Sequence, residues 1–134
     1  MKKAQVSTEY LILFSFIMGI SLVLFVLFQS YTQETQDKIR LAQADQISRK
    51  IVEVSEQVFY LGEPSKVTIK VSMPDNIKAV NIGNYEVFFV INTKEGDNEI
   101  GHISKVNITG ILPTSAGIYE INVESKGSYV EVSI

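Results

Sequence analysis

The chain has 134 residues, a net charge of −3 and an apolar fraction of 46%, which fits one modest domain plus an appendage. Its basic residues form no cluster, which argues against nucleic-acid binding. It contains no cysteine and a single histidine, His102, so disulfides, thiolate metal sites and cysteine nucleophiles are excluded together.

The first residues, Met1 to Ala4, are short and basic through Lys2 and Lys3, and a polar stretch from Gln5 to Glu9 follows. From Tyr10 to Phe28 there is no charged residue. As a helix this segment is ~28 Å long, close to the ~30 Å hydrocarbon core of a bilayer. A chain of this size has too little mass to enclose a helix that is apolar all round, so the segment is expected to be transmembrane. The positive residues precede it, which places the N-terminus in the cytoplasm and the C-terminal part outside. Lys38, Arg40, Arg49 and Lys50 on the far side weaken that contrast.

No Gly or Pro interrupts the chain between Phe28 and Leu61. Ala44, Ile47, Ile51, Val54, Val58 and Leu61 recur at spacings of three and four, which is one face of an α-helix. The helix is therefore expected to cover residues 5–61, with 10–28 in the membrane or a filament core and 29–61 amphipathic. Its apolar face has two possible coverings: the strands of its own head, or neighbouring helices. Gly62-Glu63-Pro64 is the stop signal.

Beyond Pro64 the apolar period becomes two. Val67 to Val71, Val80 to Ile82, Tyr85 to Ile91, Ile103 to Ile108, Tyr119 to Val123 and Val130 to Ile134 read as short strands. Gly83-Asn84 and Lys126-Gly127 read as turns. The expected fold class is α+β: a long N-terminal helix followed by a small, antiparallel, β-sandwich-like head over residues 62–134.

Candidate chemistry is sparse. His102 has no evident partner set, and Asp97-Asn98-Glu99 reads as a solvated turn after Lys94. No phosphate loop or cluster of metal ligands is present, so neither an enzyme nor a cofactor is expected. Asn107-Ile108-Thr109 is an N-glycosylation sequon inside an expected strand. Tyr119 is similar to the tyrosine of a late strand in immunoglobulin-like sandwiches, with ordinary core packing as the plainer reading. Gly19 and Ser21 are small residues in mid-span, which either permit close helix approach or reflect ordinary membrane-helix composition.

The junction before the apolar run is the most informative stretch. An ordinary secretory signal is cut after its apolar region, yet no A-x-A-like site follows Phe28. The small residue Ala4 stands before the run instead. The basic leader followed by Gln5, Ser7, Glu9 and Leu13 resembles the class III signal peptide of archaeal type IV pilin-like proteins, whose motif is Gln-x-Ser-x-Glu-x-x-x-Leu. The long helix, the break after it and the strand-rich head are similar as well.

That resemblance implies removal of residues 1–4 by a membrane prepilin peptidase between Ala4 and Gln5. It implies a subunit, major or minor, of a surface filament whose partners are like subunits and, before assembly, membrane lipid. Adhesion or surface attachment is the downstream role it suggests. In such a bundle Glu9 of one subunit can meet the new α-amino group of Gln5 on the next and set axial register, as one polar residue does in a coiled coil. Glu9 as a plain interfacial acid at a helix start is the simpler alternative. The rival function is a membrane-anchored binding module whose head never polymerises.

Overall fold

The computed structural model describes the backbone of residues 2–134 and the side chains of residues 7–134. Helix α1 spans Lys2–Leu61. Seven strands follow: β1 (Lys66–Met73), β2 (Ile77–Gly83), β3 (Glu86–Thr93), β4 (Gly96–Ile103), β5 (Ile108–Gly110), β6 (Gly117–Ser125) and β7 (Val130–Ser133). The fold is thus α+β, a long apolar-started helix and a two-sheet head. The chain divides into two compact units, one ending at Gln36 and the other running from Asp37 to Ile134.

In the first unit the helix continues unbroken through Gly19, and four of its hydroxyls bond its own backbone. Ser15, Ser21, Thr32 and Thr35 each donate to the carbonyl four residues earlier, at 2.8–2.9 Å. This pairing removes the cost of carrying a hydroxyl through an apolar environment. The large apolar side chains from Tyr10 to Phe28 are all exposed, Ile20 least at 46%.

In the second unit α1 ends where Gly62 takes a φ of +77°. Its N–H donates to the Phe59 carbonyl at 3.1 Å, and the Gly62 carbonyl accepts from Ser65 at 2.9 Å. Only glycine adopts this left-handed cap without strain. One sheet has the order β1-β6-β7-β5 and the other β2-β3-β4. Both contribute to a single core. Ile69, Val71, Ile121, Val123, Val130 and Val132 from the first sheet meet Val87, Phe89 and Ile91 from the second.

The helix covers this core with Ala44, Ile47, Ile51, Val52 and Val58, so its apolar face packs on its own head. Ser48 and Ser55 lie in the same face, fully buried, and their small size lets the helix approach. Leu61, expected on that face, is 73% exposed, because the face closes at Val58 one turn before the helix ends.

The strand content departs from expectation in three places. β4 was not legible: residues 97–99 lie within it rather than in a turn, and Ile103 to Ile108 is the end of β4, a connection and the start of β5. Five charged or amide residues crowd the chain from Lys94 to Glu99, which hides the strand. Antiparallel pairing to β3 is nonetheless continuous from Gly96 opposite Thr93 to Ile103 opposite Glu86.

Second, β5 pairs with β7 in parallel, while every other pairing is antiparallel. A Cβ at Gly110 would sit 2.2 Å from the Val132 carbonyl oxygen, so this close pairing requires glycine. Third, the β2–β3 turn is centred on Asn84 and Tyr85, at φ +53° and +69°, one residue later than expected. That register sets Val80 opposite Phe89 and Ile82 opposite Val87, apolar pairs that fix it.

Candidate functional site

The residues singled out by sequence fall into three places. Lys2, Lys3, Ala4 and Gln5 lie outside the residues whose side chains are described. Ser7, Glu9 and Leu13 stand on the exposed helix, Leu13 at 58%. Positions 9 and 13 are four apart and so share one helix face, and Leu13 begins the uncharged span beyond the acid. Gly19 has nothing within 4 Å of where a Cβ would stand, and Ser21 is occupied by the Ile17 carbonyl.

Among the described residues one helix is long and apolar enough to cross a membrane, and none of its apolar window is buried within the protein. A contiguous apolar surface of this kind is exposed only where lipid or another apolar surface covers it. The physical site is therefore this surface, bordered on its N-terminal side by Glu9.

The remaining candidates belong to the head. Asn107 is half-buried in the connection just before β5 rather than inside a strand, and its carbonyl accepts from the Val130 N–H at 2.9 Å. His102 closes β4 and its Nε2 donates to Asp45 Oδ1 of α1 at 2.9 Å, so it ties the helix to a strand. Tyr119 packs against the core, and its hydroxyl bonds Ser115 Oγ at 2.8 Å. The upstream partner is a side chain, where the immunoglobulin-like arrangement uses backbone. Among the described residues no group of three or more His, Cys, Asp or Glu is placed to hold a metal.

Sequence reading missed one cluster. Arg40 donates to both carboxylate oxygens of Asp75, at 2.6 and 2.8 Å, and to Asp37 at 2.7 Å. Asp37 also accepts from the Lys94 N–H at 3.0 Å. The helix is thereby fastened to the β1–β2 and β3–β4 connections at once. The Asp37–Arg40 pair three residues apart was visible in the sequence; Asp75, 35 positions on, was not.

The Lys94 N–H and then Arg40 hold the Asp37 carboxyl below its ordinary range. The Arg40 hydrogen bond does the same for Asp75, while Asp75 foremost raises the guanidinium. Lowered carboxyl values mean stability that is complete above the ordinary carboxylate range and lost as pH falls below it through the lowered folded-state values. Replacing Arg40 by Ala is expected to lower Tm by about 5 °C at neutral pH. The difference from the parent chain should shrink steadily below about pH 5. Thermal melts of both chains followed by near-ultraviolet circular dichroism check this; a gap unchanged at pH 3 contradicts it.

Comparison with protein-family models, with curated proteins and with solved structures gave no match to this chain.

Proposed function

We propose that the chain is the precursor of a structural subunit, major or minor, of an archaeal type IV pilus-like surface filament. The carrying observation is the exposed, uncharged helix surface from Tyr10 to Phe28, bordered by Glu9 and followed by a head that already buries its own core. Before assembly that surface lies in lipid, with the basic leader in the cytoplasm and the head outside. After a prepilin peptidase removes residues 1–4, like helices replace lipid around it. The heads then coat the filament and serve adhesion or surface attachment. No enzymatic role or cofactor enters this reading.

A plain membrane anchor has no use for cleavage ahead of its apolar segment, so processing separates the filament subunit from the tethered binding module. Intact-mass measurement of protein from native membranes is expected to show a chain beginning at Gln5. A mature chain that still begins at Met1, or one that begins after Phe28, rules the filament reading out.

A further inference from the structure

A two-sheet head has four sheet edges, and here they are β1, β5, β2 and β4. β2 and β5 lie beside one another and close one side of the head. β1 and β4, each of eight residues, have a strand on one side only and are flanked by α1, and such an edge strand presents alternate backbone N–H and C=O groups with no strand beyond. Their flanks of the helix differ. One groove runs between Gln43, Gln46 and Lys50 of α1 and Lys70 and Ser72 of β1. Another lies where Arg49, Val52 and Glu53 of α1 meet His102 and Ile103 at the end of β4.

The two edges carry opposite charge. The outer-facing residues of β1 are Lys66, Thr68, Lys70 and Ser72, all exposed, and the strand has no acid. Glu124 and Glu120 stand opposite the two lysines but one strand further in. The outer-facing residues of β4 are Asp97, Glu99, Gly101 and Ile103, and the strand has no Lys or Arg. Asp97 pairs with Lys78, and Ile103 is 75% exposed. Two β1 edges brought together set lysine against lysine, and two β4 edges set acid against acid. Only unlike edges match, and like charges placed opposite are destabilising.

We infer that the β1 edge of one head docks on the β4 edge of a second copy of this chain, a contact that extends the filament reading given above. Because the two surfaces differ, the contact is heterologous, and a heterologous contact that does not close on itself propagates as an open helical array. Pairing of free edges supplies backbone hydrogen bonds, and the charges choose the partner. Tethering in one membrane raises the local concentration, so an edge contact too weak for free heads is populated among anchored ones.

The chain has no native cysteine, which makes the test direct. Full-length chains carrying Ser72→Cys at the β1 edge and Ile103→Cys at the β4 edge are mixed in phosphatidylcholine vesicles and treated with a short bismaleimide. The expected result is a mixed dimer about tenfold more abundant than either same-edge dimer. Adding Lys66→Glu and Lys70→Glu to the Ser72→Cys copy should reduce it about tenfold. Adding Asp97→Lys and Glu99→Lys to the Ile103→Cys copy as well should restore it.

Circular dichroism of each variant verifies folding, and the ratio of mixed to same-edge dimers in the charge-intact pair is decisive by itself. Equal yields of the three dimers, or a mixed dimer indifferent to charge reversal, overturn the inference. Filaments that form without the mixed dimer overturn the edge contact alone. A mixed dimer from a chain that makes no filaments on cells overturns the filament reading alone.

Discussion

Cells whose only copy of this protein is Glu9→Ala are expected to carry no filaments while keeping processed protein in their membranes. A carboxylate held deep in hydrocarbon costs about 3 kcal/mol, and near the membrane edge it costs less, so insertion tolerates both the acid and its removal. Assembly is different. Under the proposed filament reading, like helices would replace lipid around Tyr10 to Phe28 and Glu9 would leave the interface for a drier bundle. There it would need a cation, which the proposed cleavage before Gln5 would supply in the new α-amino group. Breaking a buried pair of this kind costs about 3–5 kcal/mol per contact, equivalent to at least a hundredfold in each subunit's affinity for its neighbours.

Glu9→Gln keeps a hydrogen-bonding side chain but no charge, and is expected to impair filaments nearly as much. Desolvation offsets much of the pair's attraction, so the expected defect is lost register more than lost stability. Filaments counted by electron microscopy, together with processed protein in membrane fractions, decide it. Normal filaments from the alanine chain would make Glu9 an interfacial acid and nothing more.

The second large effect is on solubility. A chain beginning at Gln29 is expected to be soluble and monomeric without detergent, whereas the full chain requires it. The deletion removes sixteen large apolar side chains from Tyr10 to Phe28, none of them buried. It leaves the core untouched, since the first helix residues in that core are Leu41, at its margin, and Ala44. Circular dichroism should show both helix and strand, and the melting temperature should stay within about 4 °C of the full chain, because no packed contact is lost. Sedimentation measures the size. An aggregated or unfolded product would mean that the apolar span stabilises the head, contrary to the exposure of every large side chain in it.

These outcomes rest on features that were unequally visible in the sequence. The helix was legible from Tyr10 to its end because an uncharged span and a three-four apolar period run without a breaker to Gly62. That period placed Ala44, Ile47, Ile51 and Val58 on one face but left its covering open between the head and neighbouring helices; the head covers it. β3 was legible as an unbroken apolar run from Val87 to Ile91 after a turn signal, and β6 because Tyr119, Ile121 and Val123 alternate. β4 was not, since its inward positions are Asn98, Ile100 and His102, and two of the three are polar. A strand at the free edge of a sheet with a half-polar inner row has almost no hydrophobic period to read. The Arg40–Asp75 contact and the Asp45–His102 contact join positions 35 and 57 residues apart, and one sequence carries no record of such pairing. Glu9 was singled out only through its spacing from Gln5, Ser7 and Leu13, a pattern of type and order, and its role in assembly is a proposal.

The pairing of β1 with β6 has a consequence for the order of events in synthesis. Met73 meets Gly117 and Lys66 meets Glu124, so the strand that directly follows the helix waits for a partner made some fifty residues later. β5 is paired last in chain order, because its strand partner is β7, at Val130–Ser133. Contacts this distant along the chain make folding slow, since the loop must be closed before any pairing rewards it. Tyr10 to Phe28, by contrast, forms its helix from local contacts as soon as it emerges. The helix is therefore formed while the head is still an open chain, and the head reaches its final form only after synthesis has delivered β7.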